Sequence, residues 1–170
     1  MKCLVIVTIL FLISCGRDKN VQEDIEWSTE RSTDFNKNLA VEEEIQIKLF
    51  LEQHRDWTMT RTGTGLQYYI FEKGSGDIAR VGQVAQVELI VSLLDGKQVY
   101  KTEKDELDEF VIDRSEIESG IHEGIKKLKV GDHAKLILPS HLAHGLIGDF
   151  DKIPPLSVLV VDIKLIALKS

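Results

Sequence analysis

Gly120-Ile121-His122-Glu123-Gly124-Ile125-Lys126-Lys127-Leu128-Lys129-Val130-Gly131-Asp132 is the stretch on which the fold turns. Read with the residues before it, Glu116 to Lys127 has helical spacing, with Ile117, Ile121, Ile125 and Leu128 down one side. Gly131-Asp132 then makes a turn into His133-Ala134-Lys135-Leu136-Ile137-Leu138, a run with strand character. One short amphipathic helix therefore needs an apolar surface to lie on, and the rest of the chain must supply it.

Working outward, that surface is a set of short strands between turn signals. Leu66 to Phe71 is rich in strand formers and ends at Gly74-Ser75-Gly76. In Val84 to Ser92, residues Val87, Leu89 and Val91 alternate onto one face. Asp95-Gly96 is a tight-turn dipeptide before Lys97 to Tyr100, and Glu109 to Asp113 is a further short strand. A loop rich in Gly and Pro runs from Pro139 to Pro155. In the last strand Leu159, Val161, Ile163 and Leu165 alternate with Val160, Asp162, Lys164 and Ile166. Several antiparallel strands and one amphipathic helix predict an α+β domain.

The N-terminal third reads differently. Met1-Lys2 and the apolar run Leu4 to Ile13 are too short to span a bilayer core, which needs about 20 apolar residues. They fit the apolar middle of a secretory signal. Leu12-Ile13-Ser14-Cys15 resembles the lipobox of bacterial lipoproteins. By that resemblance residues 1–14 are a signal peptide, and Cys15 becomes the first residue and carries a lipid that holds the protein at the periplasm-facing membrane of the cell envelope. Residues 15–38 are polar and predict a flexible tether. Residues 39–62 predict an amphipathic helix, with Val41, Ile45 and Leu49 on one face, acids in its first turns and Asn36 or Asn38 as a cap. That face suits packing on the following domain, residues 63–170, or dimerisation.

Composition bounds the function. The formal charge of −7, without a basic stripe, argues against nucleic acid as a partner. With only Cys3 and Cys15, and the first removed with the signal, no disulfide within the chain forms. His141 and His144 lack an evident third ligand nearby, so no metal site is expected. Glu42-Glu43-Glu44 and Asp105-Glu106 read as solvated faces, and Asp113, Glu116 and Glu118 as helix-start capping.

The order of these pieces resembles the FKBP family of peptidyl-prolyl isomerases over about Gly63 to Lys169. Four signatures carry the resemblance: Leu93-Leu94-Asp95-Gly96-Lys97, the helix stretch quoted above, Leu136 to Gly145, and Ile153-Pro154-Pro155-Leu156-Ser157-Val158-Leu159. A narrower likeness is to the gliding-motility-associated isomerase lipoproteins of Bacteroidota. The resemblance implies an FKBP-like antiparallel sheet wrapped on one helix, preceded by a separate N-terminal helix. It also implies a cofactor-free isomerase acting on X-Pro segments of exported client proteins.

Position by position, it places catalytic roles at Phe110, Ile117, Ile121, His144 and Ile153, and a substrate pocket at Leu89, Val99, Tyr100 and Val161. Ile121 stands where the family normally has tryptophan, Leu89 where it has tyrosine, and Val161 where it has phenylalanine. Val99-Tyr100 replaces a phenylalanine-aspartate pair, Asp108 one of two phenylalanines and Glu118 an isoleucine; His144 stands for a tyrosine whose hydroxyl bonds a substrate carbonyl. Scaffold motifs are thus kept better than pocket motifs. Two functions are expected from this: an isomerase assisting exported proteins at the membrane, or a catalytically weak module that holds client chains in the same cleft.

Overall fold

A computed structural model of the chain describes residues 29–169. The lipobox, Cys15 and the signal peptide lie outside the described residues. Among them, a long helix α1 (Thr29–Gln53) precedes strands β1 (Thr60–Arg61), β2 (Gln67–Glu72), β3 (Val84–Leu93), β4 (Gln98–Lys101) and β5 (Asp108–Val111). Helix α2 (Ser119–Ile125), β6 (His133–Leu138), a short 3-10 turn (Ser140–Leu142) and β7 (Leu159–Lys169) follow. The seven strands form one antiparallel sheet, six of them in the order β1-β2-β6-β7-β3-β4, with β5 also pairing with β3. The α+β architecture expected from the sequence is the one observed.

Long strand β3 organises the site. One edge pairs with β7 along its whole length. The other edge is shared: β5 takes Val84 to Val87 and β4 takes Ile90 to Ser92. Thr102 bridges the gap, its N–H donating to Leu89 O at 2.9 Å while its hydroxyl accepts from Leu89 N–H at 2.8 Å. The turn between β3 and β4 rests on Asp95, whose Oδ1 accepts from Lys97 N–H at 2.8 Å, and on Gly96 at φ 85°.

Helix α2 lies directly on β6, because its two glycines face the sheet. A Cβ on Gly120 would stand 2.5 Å from Leu138 Cγ, and one on Gly124 would stand 2.5 Å from Leu136 Cδ1. Ile121, Ile125 and Leu128 then bury into a core with Leu136, Leu159, Ile163 and Leu165. The helix is shorter than its periodicity predicted. Glu118 is already extended, at φ −56° and ψ 131°, and makes no side-chain cap bond, so the expected capping role fails there. Asp113 instead ion-pairs with Lys126 Nζ at 2.6 Å. The exit turn is fixed by buried Asp132, which accepts from Gly74 N–H at 2.6 Å and from Lys129 N–H at 2.8 Å.

Helix α1 corrects the expectation in three ways. It begins at Thr29, so residues 29–38 are helical where a tether was expected, and neither Asn36 nor Asn38 caps it. Polar side chains are compatible with an exposed helix, and once its C-terminal turns dock, each added residue propagates at little cost. It also ends at Gln53 rather than continuing to 62, where Phe50 stacks on His54 and both rings pack against Trp57 as the chain turns back towards β1. Finally, the stripe Val41, Ile45 and Leu49 is exposed.

The opposite face packs instead, with Ile47 against Ile137 and Val158 and with Phe50 and Leu51 beside them. Glu43, expected to be solvated, is buried there and accepts from Ser140 N–H at 3.3 Å. Glu44 pairs with Arg61 at 2.8 Å. No helix among the described residues is long and apolar enough to cross a membrane.

Candidate active site

Where β3 parts from β4 and β5, the sheet opens onto α2 and leaves a cleft of about 890 Å³. The floor and walls are apolar: Leu89 and Val91 come from β3, Val99 from β4, Phe110 from β5, Ile121 from α2 and Ile153 from the long loop. Ile117 lines the entrance with Tyr100 and His144. Eight of the nine pocket positions named from the sequence thus surround one cavity. Val161 does not line it. That residue is wholly buried on β7, in register between Val91 and Leu136, and a valine is too short to reach past them.

Each wall has support that sequence reasoning did not supply. The Phe110 ring meets buried His122 edge to face, with centroids 5.7 Å apart and planes at 77°. His122 is fixed in turn by two backbone bonds: Nδ1 accepts from Asp113 N–H at 3.0 Å, and Nε2–H donates to Ser115 O at 3.0 Å. These bonds set the neutral tautomer and hold the loop that enters α2. Its only sequence signal was a histidine one position from the apolar stripe.

Tyr100 is held by an acid. Its hydroxyl donates to Asp108 Oδ1 at 2.6 Å, and the Thr102 hydroxyl donates to the other oxygen of that carboxylate. The bond to Asp108, with some burial and the nearby Asp108, Glu103 and Glu106 charges, pushes the phenol up to about 12. Tyr100 is therefore a neutral phenol whose proton is already engaged.

His144 is a second polar ring at the mouth. Its Nε2–H donates to Glu118 Oε1 at 2.9 Å, which leaves Nδ1 for a ligand. His141 points elsewhere, bonding Thr64 O at 2.9 Å, so the two loop histidines do not converge. Asp149 shapes the loop carrying Ile153 by accepting from the N–H groups of Asp151, Lys152 and Ile153. The bonds from Ile153 and Asp151 hold its carboxyl below the usual carboxylate range.

An open cleft of this size, with an apolar floor and a polar rim, suits binding of a small apolar ring within a peptide.

Known proteins place the same fold on this chain. Residues 76–166 match the FKBP-type peptidyl-prolyl cis-trans isomerase family. The probable FKBP-type peptidyl-prolyl cis-trans isomerase FkpA of Neisseria meningitidis serogroup B is 35% identical over 107 residues, covering 63% of this chain and 39% of the relative. FkpA of Escherichia coli K12 is 31% identical over 132 residues, covering 76% of this chain and 48% of the relative. The chain therefore spans less than half the length of these two curated relatives. The crystal structure of Escherichia coli FkpA superposes with a TM-score of 0.67 at 28% identity, over 82% of this chain and 64% of that one. Since the family match takes in more than half of the 170 residues and falls on the sheet and helix that build the cleft, the chain belongs to the FKBP-type peptidyl-prolyl cis-trans isomerases.

Proposed function

We propose that this chain is a peptidyl-prolyl cis-trans isomerase that assists exported proteins from a lipid anchor on Cys15. The observation that carries the reading is the convergence of Phe110, Ile117, Ile121 and Ile153 on one open apolar cleft. Rotation about an X-Pro bond faces a barrier of about 18–20 kcal/mol from amide resonance, and lowering it needs no covalent chemistry. The apolar walls take the proline ring, and catalysis comes from holding the twisted amide better than the planar one.

The donor for the substrate carbonyl is His144. With Nε2–H given to Glu118, only a protonated ring has a second N–H, at Nδ1, to offer. On this reading a His144→Phe variant turns over X-Pro peptides more slowly than the native chain.

A second reading, a module that holds proline segments without turning them over, is favoured by one feature. The two ring side chains at the mouth that could donate are engaged, Tyr100 by Asp108 and His144 by Glu118. A protease-free isomerisation assay on X-Pro peptides separates the two. Acceleration above background supports the enzyme; none at micromolar protein, with client aggregation still slowed, sinks it. The anchor is tested by mass spectrometry of the mature N-terminus and by Cys15→Ser, which releases the protein from membranes if a lipid holds it.

A further inference from the structure

We propose that the cleft selects X-Pro segments carrying lysine or arginine beside the proline; this rests on the reading of the cleft as a proline site. Carboxylates line its mouth from three separate segments: Asp108 and Glu109 on β5, Glu116 and Glu118 on the approach to α2, and Asp149 and Asp151 on the long loop. The cations lining it are Lys152 and, when protonated, His144.

Two of the acids have a basic partner: Glu109 meets Lys169 Nζ at 2.7 Å, and Glu118 meets His144 Nε2 at 2.9 Å, a pair that cancels charge only when the ring is protonated. The remaining four keep their charge. Asp108 is held by two hydroxyls and Asp149 by three backbone N–H groups, which are neutral donors that fix geometry without cancelling charge. Glu116 and Asp151 make no ion pair among the described residues. Four uncompensated carboxylates thus face a single lysine around an apolar floor.

A low-dielectric floor focuses that field into the cleft. With the proline ring seated among Phe110, Ile121 and Ile153, neighbouring residues of an extended client lie within about 3–7 Å along the chain, so their side chains reach the rim. A cation there gains several weak attractions and gives up no buried contact. An acidic neighbour is repelled, which provides discrimination by exclusion.

The test uses the full chain and peptides of the form Ala-Xaa-Pro-Phe, with lysine, leucine or glutamate at Xaa. At about 0.05 M salt, kcat/KM is expected to rank lysine, leucine, glutamate, with roughly a three- to tenfold spread between the extremes, the size a few exposed ion pairs supply. The spread shrinks at about 0.5 M salt, where charges at the rim are screened. In the double variant Glu116→Gln, Asp151→Asn the lysine-to-glutamate ratio falls towards one. Equal turnover of all three peptides at low salt overturns charge selection and leaves the isomerase reading standing. If no peptide turns over, the isomerase reading fails, and the ranking is read instead from Kd of the same peptides with a fluorescent label. Equal Kd values then overturn the proposal.

Discussion

Tyr100 on β4 and Asp108 on β5, two strands that share one edge of β3, stand eight residues apart and are joined at the cleft by a hydrogen bond of 2.6 Å from the phenol to the carboxylate. Tyr100 stands where the family pattern has aspartate and Asp108 where it has phenylalanine, and each explains the other. An acid beside an apolar pocket is costly unless satisfied, and two hydroxyls satisfy this one. The phenol is raised to about 12, so the stabilisation it brings is complete below the ordinary tyrosine range and is lost as pH rises through about 12. Absorbance titration of tyrosinate, taken as the difference between the native chain and Tyr100→Phe, is expected to show a midpoint near 12. Asp108→Asn should return it towards the ordinary value of about 10.

The two glycines of α2 make a graded test of how closely that helix is seated. A Cβ on Gly120 meets Leu138 Cγ at 2.5 Å and the Leu142 carbonyl oxygen at 3.0 Å, neither of which moves easily. On Gly124 the nearest atom is a terminal methyl of Leu136 at 2.5 Å, which a rotamer change relieves. Alanine gains about 1 kcal/mol of helix propensity at either site. Overpacking of about 1–3 kcal/mol outweighs that gain at Gly120. Thermal unfolding should therefore show Gly120→Ala clearly destabilised and Gly124→Ala close to native.

Acid should loosen the long loop before it unfolds the sheet. The Asp149 carboxyl is lowered chiefly by the N–H groups of Ile153 and Asp151, so its contribution is present above the ordinary carboxylate range and fades as pH falls through the lowered value. Those bonds position Ile153 at the cleft. Proline-peptide affinity, followed by fluorescence as pH is lowered below about 4, should drop while far-ultraviolet circular dichroism is unchanged. An Asp149→Asn variant should bind weakly already at neutral pH.

Ile121 is buried on the cleft floor, where the family pattern normally places tryptophan. An indole in its place would fill part of the open space and give the proline ring a flat wall to lie on. Ile121→Trp is expected to raise kcat/KM several-fold in the protease-free assay, with Tm recorded alongside. A stable variant without gain would mean that the floor does not limit turnover.

How much was legible divides along a physical line. The alternation of Val87, Leu89 and Val91, and of Leu159 to Leu165, places buried residues on one face as read, because a strand repeats every two residues whatever its neighbours. The turn at Asp95-Gly96 is equally local. Around the site, apolar positions came together through family spacing, whereas Glu116 read as helix-start capping and Asp149 and Asp151 gave no signal. Charges on loops have no period, and these gather at one mouth only because three distant segments end there.

Helix α1 draws the limit most sharply. Its sequence holds two stripes at helical spacing, Val41-Ile45-Leu49 and Glu43-Ile47-Phe50, and periodicity favours the more apolar one. The structure buries the other, because Ile137 and Val158 offer Ile47 a surface and Ser140 N–H offers Glu43 a partner. By itself the sequence determined strands β2 to β7, the existence of α2 and the turn at Asp95-Gly96, since those depend on neighbours within a few residues, but not the limits of α1. Only the tertiary structure decided which helix face is covered, that Asp108 and Tyr100 satisfy each other, and that carboxylates ring the cleft. Each of these depends on what a group meets across the fold, where burial sets the cost of leaving it alone.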